Sequence, residues 1–470
     1  ILFNRKAEVV GRSDVNHEQI HPQSDWVEHD PEEIWGNLLA AVRNVVKHTG
    51  ISKDEIVCIS VTNQRETTML WTKAGKPAYH AIVWQDTRAE EIVQRETIEA
   101  EKQYITKVTG LQVSSYFSAA KACWIKENCG GEDELYFGTM DSWVLYKMTG
   151  HHVTDYSNAS RTQLFNIYDC KWDEKIISLF GLKDVHFPKV CDSNAIYGET
   201  TLDGFLDRPV PVAGDMGDSH GALFAQQCWN TGMGKCTFGT GGSLMMNIGN
   251  QPVQSGNKLN TSIAWGMDGT VDYVFEGTIV NMGNTVKWLV KNMGFIENSA
   301  ESQKLAESVK STGGVYLIPA FNGLGAPWWN SDVRGIICGL QSTTRAAHVV
   351  RAGLEAIAYQ MRDIIDPMLD DAQISLEELR VDGGPTNNEF LMQFTADILG
   401  TDLVKNHVEE LSALGAAYAG GLTMGFWKDR EELAGLRKNS ATYRREMGKE
   451  QADHLYSKWL KYVKMLMAEG

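Results

Sequence analysis

The chain has 470 residues, 43% of them hydrophobic and 22% charged, and its 60 acidic and 44 basic residues give a formal net charge of −16. Domains usually hold roughly 100–200 residues, so a chain of this length predicts two large domains. The acidic balance disfavours nucleic acid and anionic membranes as partners. No apolar run approaches the ~20 residues that span a bilayer. The eight cysteines show no metal-ligand spacing, so we expect them to be reduced and mostly buried, which favours the cytoplasm.

Strands and helices alternate in the predicted first half. Residues 1–10 predict a hairpin of two short strands. Asp30, followed by Pro31 and two acidic residues, predicts a helix start, and Gly50 predicts its end. Residues 56–62 predict a buried strand. The other expected elements are strands reaching Trp71 and Trp84, a mainly helical stretch over 89–150 and a helix over 172–182. This order indicates a mixed α/β domain.

The segment 209–247 gives the first indication of a catalytic function. It predicts a strand that ends in a Gly-Asp loop at Asp218 and opens a helix, then two strands joined by a glycine turn at 239–242. A carboxylate at a strand end beside a turn rich in free backbone N–H groups is a layout for phosphoryl transfer. The alternative is a buried strand, an N-capping aspartate and an ordinary hairpin, and the segment alone does not decide between them.

The second half repeats the arrangement of strand, glycine turn and helix. The expected elements are a strand over 314–320, a long helix over 344–368, a strand and glycine turn over 379–385, helices over 387–399 and 412–424, and a helical tail from Lys449. The helix over 412–424 is rich in alanine and glycine, which suits close backbone packing. We expect two domains, over 1–226 and 227–470, with a cleft between them.

Several unusual segments resemble one family. They are residues 26–31, 59–68, 81–85, 116–119, 154–161, 319–327 and 380–384. Along nearly its whole length the chain resembles the FGGY carbohydrate kinases, and among them the glycerol kinases. The resemblance implies an α/β fold of two domains of the actin–hexokinase (ribonuclease H-like) ATPase type. The first domain would hold a small polyol and the second would hold the nucleotide.

Carried over residue by residue, the resemblance implies a polyol site made by Arg65, Glu66, Trp84, Tyr116 and Asp218. The chemistry agrees, because a guanidinium donates to oxygens, a carboxylate accepts from hydroxyls and aromatic rings cover the carbon chain. Taken singly, an Arg-Glu pair is more often a solvated ion pair, and a Trp or Tyr more often belongs to the core. Their joint occurrence in matched segments favours the site.

The resemblance makes Asp218 the general base that takes the proton of the attacking hydroxyl. The same carboxylate stands where Mg²⁺ would help to neutralise phosphate charge. A role as N-cap of the helix that follows is compatible with both.

The nucleotide site implied by the resemblance takes ATP and ADP. Thr240 and Gly241 would form a phosphate loop, and Gly283 would line the nucleotide. Gly384, after Gly383, and Asn388 would form the turn on the adenosine side, where backbone N–H groups meet the ligand. A homodimer is compatible with the resemblance.

Two departures from the family pattern bear on phosphate and substrate binding. These kinases begin with a strand and a phosphate-binding hairpin, which this sequence does not include, so we expect the natural protein to have a preceding segment. Ser219 and His220 stand where glycerol kinases have two glutamines, and Ser243 stands where they have a phenylalanine. A larger and more polar pocket beside Ser219 and Ser243 suits a longer polyol or a ketose. His220 could equally be a hydrogen-bonded residue of the helix.

The leading hypothesis is ATP-dependent phosphorylation of a terminal hydroxyl of a small polyol, first of all glycerol. The first alternative within this class is a four- or five-carbon substrate such as erythritol, a pentitol or a pentulose. From another class comes a catalytically impaired relative that acts as a binding protein. A chaperone or filament of the actin-like ATPases is disfavoured, because it would share the fold but not Arg65, Glu66 or Trp84.

Overall fold

The computed structural model describes residues 1–131, 133–406, 410–437 and 439–469. The strands and helices up to residue 225 are β1 (Leu2–Phe3), β2 (Val9–Gly11), β3 (Glu28–His29), α1 (Pro31–Thr49), β4 (Ile59–Asn63), β5 (Thr68–Thr72), β6 (Ala81–Ile82), α2 (Glu90–Val93), α3 (Glu96–Thr109), α4 (Ser118–Cys129), β7 (Leu135–Thr139), α5 (Met140–Thr149), β8 (Val153–Asp155), α6 (Tyr156–Ala159), β9 (Phe165–Asn166), β10 (Lys171–Trp172), α7 (Glu174–Leu179), β11 (Lys189–Cys191), β12 (Ile196–Thr200), β13 (Val210–Gly217) and α8 (Asp218–Ala225).

After residue 225 the strands and helices are β14 (Met233–Phe238), β15 (Gly242–Gly249), β16 (Asn260–Met267), β17 (Thr270–Ile279), α9 (Gly283–Lys291), α10 (Glu301–Glu307), β18 (Tyr316–Ile318), β19 (Ile336–Cys338), α11 (Ala346–Ala372), β20 (Glu378–Asp382), α12 (Glu389–Leu399), β21 (Leu403–Asn406), α13 (Leu411–Thr423), α14 (Arg430–Leu436), β22 (Asn439–Tyr443) and α15 (Lys449–Glu469). Short 3₁₀ helices occupy Lys53–Glu55 and Gly384–Asn387. No helix in the described part of the chain is long and apolar enough to cross a membrane.

The best-specified helix of the first half is α1. The Asp30 side chain accepts a hydrogen bond from the Glu32 backbone N–H at 2.9 Å, which satisfies one of the free donors at the helix start. Gly50 ends the helix with a left-handed φ of 67°, a conformation that glycine adopts without strain. Both ends lie where the sequence predicts them.

Two sheets organise the first half and bring its loops together. One has the order β12-β13-β4, with β13 parallel to β4, and the other has the order β3-β6-β5-β7. Gly217 at the end of β13 pairs with Asn63 at the end of β4. Because parallel strands end at the same edge of a sheet, the residues that follow them, Arg65 and Asp218, come to lie side by side.

The predicted helical stretch over 89–150 is partly wrong, because it contains the strand β7. Its Leu-Tyr-Phe-Gly-Thr sequence pairs with β5 along five positions. The periodicity of a short apolar run does not distinguish a buried strand from a helix. In this segment the aromatic residues, which favour strands, indicate the strand. The helix predicted over 172–182 is also shorter, since α7 begins at Glu174 after the strand β10.

The second half is built on a sheet with the order β16-β17-β15-β14-β20-β21-β22 within the described residues. The hairpin β14–β15 surrounds the predicted glycine turn, and β20 runs parallel to β14, so Phe238 and Asp382 end at the same edge. A hydrophobic core fills the space between this sheet and the helices α9, α11 and α12.

Helix α13 packs backbone to backbone, as its composition predicts. A Cβ atom at Gly415 would stand 1.9 Å from the Gly221 carbonyl oxygen of α8, and one at Gly420 would stand 2.0 Å from the Ala213 oxygen of β13. The helix therefore holds together the strand and the helix on either side of Asp218.

The first hairpin and β4 have open edges. β1 and β2 pair with each other, and β4 pairs with β13, with no other strand partner among the described residues. An apolar cavity of about 820 Å³ lies here, lined by side chains such as Leu2, Val61 and Trp427.

Candidate active site

Arg65 is the centre of a buried charge network. It follows the end of β4, and its guanidinium donates two hydrogen bonds of 2.9 Å to the two carboxylate oxygens of Glu276 on β17. Its Nε lies 3.8 Å from Glu66 and 3.2 Å from Asp218. Burial opposes the charged form of Arg65, but these three carboxylates raise its pKa well above the usual range. The side chain is therefore a permanent cation that joins the two halves of the chain.

Arg161 completes the network from the loop after α6. Its Nε donates to Glu66 at 2.7 Å, and its Nη1 lies 3.0 Å from Glu276. Burial raises the pKa of Glu276, but Arg161 and Arg65 outweigh this effect and bring it well below its ordinary value. Two buried guanidiniums thus balance two buried carboxylates, and the charge of Asp218 is left over at the edge.

Gly217 creates the space for Arg65. A Cβ atom at this position would stand 2.4 Å from Cγ and 2.8 Å from Cδ of Arg65. A glycine at the end of β13 therefore lets the arginine stem pass directly under the start of α8. The Gly217 backbone N–H donates to the Ser157 hydroxyl at 2.9 Å, which fixes this approach.

Asp218 is the exposed member of the group. Its side chain is 44% exposed, against 6% for Arg65. One carboxylate oxygen, Oδ1, accepts from the Ser219 backbone N–H at 2.6 Å and faces Arg65. In the described structure the other oxygen, Oδ2, has no donor, so it is available to a ligand. Asp218 is the first residue of α8 and Gly217 is the cap, so the interpretation of Asp218 as N-cap is wrong.

Trp84 and Tyr116 form an aromatic wall near this network. Their rings lie 5.7 Å apart between centroids with an interplanar angle of 60°. Trp84 is 38% exposed, so an apolar ring is left open to solvent. Burial and the nearby charge of Glu66 raise the pKa of Tyr116 above its ordinary value, so the phenol stays protonated. The wall offers both an apolar face and a hydroxyl.

The three residues that depart from the family pattern have different surroundings. Ser219 is half-buried beside Asp218 on α8. His220 is fully buried, its Nε2 lies 3.2 Å from the Ser262 hydroxyl, and burial lowers its pKa well below the usual value. It is thus a neutral, hydrogen-bonded residue of the helix. Ser243 lies opposite Thr278 in the sheet, and its buried hydroxyl has no partner in the described structure.

Thr240 and Gly241 form the turn between β14 and β15, and Gly283 packs against it. The Gly283 and Asn284 backbone N–H groups donate to Gly239 and Thr240 carbonyls, each at 3.0 Å. A Cβ atom at Gly283 would stand 2.5 Å from the Gly239 oxygen, so only glycine permits this contact. The start of α9 and the glycine turn are consequently one rigid unit.

Gly384 lies close to that unit. The preceding Gly383 has a left-handed φ of 97°, and a Cβ there would meet the Phe238 oxygen at 2.1 Å. A Cβ at Gly384 would meet no atom within 4 Å, so the chain is open at this position. Asn388 caps α12 through Leu391 and donates to the Ser302 hydroxyl at 3.1 Å, so its side chain is engaged with the protein. The predicted nucleotide residues other than Asn388 thus surround one edge of the large sheet.

The fit of a divalent cation depends on Asp218. No group of three or more His, Cys, Asp or Glu side chains suited to a metal occurs in the described ranges. Mg²⁺ in kinases is commonly held by one or two carboxylates together with substrate phosphates and water. The free Oδ2 of Asp218 fits that arrangement, whereas the described residues offer no site made of protein ligands alone.

Sequence reasoning missed Glu276 and assigned no role to Arg161. Glu276 lies within the strand sequence Tyr-Val-Phe-Glu-Gly, where neighbouring residues are buried. A lone carboxylate in a buried strand requires a cationic partner, and this was the available signal.

Two family models cover most of the chain. The model described as "FGGY family of carbohydrate kinases, N-terminal domain" matches residues 1–225, and the corresponding C-terminal domain matches 234–424. The chain belongs to the FGGY family of carbohydrate kinases, and it is a carbohydrate or polyol kinase. The predicted family and its two-domain α/β fold are confirmed.

Several of the most similar relatives are glycerol kinases. The chain is 46% identical to glycerol kinase of Oceanobacillus iheyensis, over 98% of this chain and 94% of that protein. It is 44% identical to glycerol kinase of Bacillus subtilis, over 100% of this chain and 96% of that protein. The structure matches Plasmodium falciparum glycerol kinase with ADP at a TM-score of 0.92 and 34% identity, covering 99% of this chain and 95% of the other.

Proposed function

We propose that this protein transfers the γ-phosphoryl group of ATP to a terminal hydroxyl of glycerol. Support comes from the similarity to glycerol kinases over almost the full length of the chain. The observation that carries the chemistry is Asp218, an exposed carboxylate held at 3.2 Å by the buried guanidinium of Arg65.

In this proposal the polyol lies between the charge network and the aromatic wall. Arg65 and Glu66 bind its hydroxyls, while Trp84 and Tyr116 cover its carbons. Asp218 accepts the proton of the attacking hydroxyl, a role worth about 10²–10⁴-fold in rate. Glu276 and Arg161 do not need to touch the polyol, because they keep Arg65 and Glu66 in their places.

The nucleotide phosphates would lie against the turn of Thr240 and Gly241, next to Gly283. Backbone N–H groups in such a turn suit phosphate oxygens. Gly384 would admit the adenosine side of the nucleotide, and Asn388 would contribute by capping the helix there. When bound, Mg²⁺ would neutralise phosphate charge beside Asp218. Lys287 donates to the Thr240 hydroxyl at 3.0 Å and adds a cation to this turn.

One observation favours a second substrate class. Among the described residues the buried Ser243 hydroxyl has no partner, and it lies on the face of the sheet that carries Glu276 two residues along the neighbouring strand. An unpaired buried hydroxyl is satisfied by a ligand hydroxyl, and Ser219 lies beside Asp218 as another polar contact. A four- or five-carbon polyol or a pentulose would supply such a hydroxyl.

A panel assay of ADP release separates these substrates. Glycerol, erythritol, a pentitol and a pentulose are compared at equal concentrations by kcat/KM. We expect turnover with glycerol, and slow glycerol turnover beside fast turnover of a longer polyol would move the assignment to the second class. No phosphoryl transfer with any member would instead support a binding role.

We also propose a reducing compartment for this enzyme. All eight cysteines are free in the structure, and Cys123, Cys228 and Cys236 are buried. This pattern supports the cytoplasmic location that the sequence predicts.

A further inference from the structure

Lys121 is a fully buried lysine that the proposed reaction does not use. It lies in the first turn of α4, and its relative exposure is 0%. Burial lowers its pKa to about 7, although Glu66 and Asp86 act in the opposite direction. An ammonium group at a helix N-terminus is also opposed by the helix dipole. A lysine that is buried against these two unfavourable effects must make compensating contacts.

The compensating contacts are three consecutive backbone carbonyls. The ammonium group donates to the oxygens of Ser115 at 2.5 Å, Tyr116 at 2.6 Å and Phe117 at 3.5 Å. A lysine ammonium has three N–H donors, so these bonds use all of them. The side chain thus folds back toward the start of its own helix and gathers the loop that precedes it.

That loop carries one half of the aromatic wall. The Tyr116 ring contacts Trp84 on one side and Phe117 on the other, with centroids 5.7 and 5.2 Å apart. Its other anchors are the Ser114 hydroxyl at 3.2 Å, the Ser115 bond to Glu90 at 2.6 Å and the Arg161 guanidinium, which lies 5.1 Å from the centre of the Phe117 ring. Lys121 is therefore the one buried charge, within the described structure, that binds the Tyr116 backbone directly.

We propose that Lys121 is a positioning residue for polyol binding, acting by holding the backbone of residues 115–117 so that the Tyr116 ring stands beside Glu66. This inference rests on the proposed function, in which Tyr116 covers the polyol. It makes Lys121 responsible for substrate affinity without contact to substrate, nucleotide or reacting atoms.

The test compares Lys121→Met with Lys126→Met. Methionine keeps the length of the stem and removes the donors. Lys126 lies on the same helix and also donates to a backbone carbonyl, that of Gly181 at 2.6 Å, but this carbonyl belongs to the loop after α7 and not to residues 115–117. We expect Lys121→Met to raise the KM for glycerol about tenfold, a loss typical of one charged hydrogen bond, with the KM for ATP unchanged. Lys126→Met should change neither constant.

A double-mutant cycle with Tyr116→Ala separates positioning from general damage. If Lys121 acts through Tyr116, the Tyr116→Ala/Lys121→Met protein should have nearly the same KM for glycerol as Tyr116→Ala alone. Additive effects, or equal increases in the KM for ATP and for glycerol, would overturn the proposal.

Two further outcomes are informative. If Lys121→Met does not fold, Lys121→Arg keeps the charge but moves the donors, and the same rise in the KM for glycerol is expected. An unchanged KM in the folded variant rejects the role of Lys121. If Tyr116→Ala itself leaves the KM for glycerol unchanged, the proposed polyol site is wrong, which is a different failure from that of Lys121.

Discussion

The two halves of the candidate site are built from different material. On the proposed polyol side, charged side chains from distant segments neutralise one another around Arg65, whose side chain is only 6% exposed. On the nucleotide side, the turn at Thr240 and Gly241 is made of backbone and is held by the close approach of Gly283. We therefore expect the proposed polyol side to lose activity when a charge is removed. The proposed nucleotide side should lose activity when an atom is added.

Asp218 tests the polyol side most directly. Asp218→Asn removes the exposed carboxylate and keeps its size, so turnover should fall by about 10²–10⁴-fold. Nucleotide binding, measured by calorimetry with ADP, should be nearly intact because the glycine turn is untouched.

The matched control is Asp30→Asn, which also lies at a helix start but caps α1 far from Arg65. Asparagine caps a helix as well as aspartate does, so the control should keep its full rate. A substantial residual rate in Asp218→Asn would show that another group takes the proton.

Glu276 tests whether the buried network around Arg65 depends on a balance of positive and negative charges. Glu276→Gln leaves Arg65 and Arg161 buried with one carboxylate fewer, and breaking a buried pair in this way costs about 3–5 kcal/mol. The free energy of unfolding in urea should fall by that amount, and the KM for glycerol should rise because Arg65 loses one of its two bonds of 2.9 Å and the negative charge that balances it.

Glu355→Gln is the comparison for Glu276→Gln. Glu355 is also buried, but it faces a single arginine, Arg351, and burial raises its pKa, so a neutral side chain suits it better. We expect a clearly smaller loss of stability. Equal losses in the two variants would mean that the network around Arg65 has no special dependence on charge.

The contrast between local backbone turns and side chains from distant segments also explains which features could be predicted from the sequence. Helix α1 and the turn at Thr240 were predicted because capping residues and glycines act on their own neighbours. The Arg65–Glu276 bond joins residues 211 positions apart, and a single sequence does not specify which arginine meets which carboxylate. The strand β7 was missed for a related reason, since its pairing with β5 decides its conformation.

Gly283 tests the nucleotide side. In Gly283→Ala the new Cβ would stand 2.5 Å from the Gly239 oxygen, so the turn must move. A misplacement on the ångström scale costs up to about 10²-fold, and we expect the KM for ATP to rise about 10- to 100-fold. The KM for glycerol should stay the same.

Gly435→Ala is the control for the added methyl group. Gly435 lies in α14, where a Cβ would meet no atom within 4 Å, so alanine should be neutral or slightly stabilising. If Gly283→Ala raises both KM values equally, the two halves of the site are mechanically coupled and the contrast between them fails.

Substitution of Asp215 should have the smallest effect of the four, and that effect is on the free energy of unfolding. It is fully buried on β13, its oxygens have no donor in the described structure, and burial together with Asp141 and Asp155 raises its pKa well above the usual value. The unfolded chain releases this proton near pH 4 whereas the native protein keeps it, so stability falls as pH rises above about 4 until the native carboxyl ionises. Asp215→Asn removes this dependence and should be more stable than the parent protein at pH 7, with no gain at pH 4.

Asp155→Asn should have the opposite sign. The Asp155 carboxylate accepts hydrogen bonds from Ser157, Asn158 and Ser193, so an amide would place N–H groups against donors and lower the stability. Chemical unfolding of both variants at pH 4 and pH 7 measures the difference. A loss of stability in Asp215→Asn at pH 7 would mean that the buried carboxyl is ionised and paired, and that charge balance extends from Arg65 down the strand that precedes Asp218.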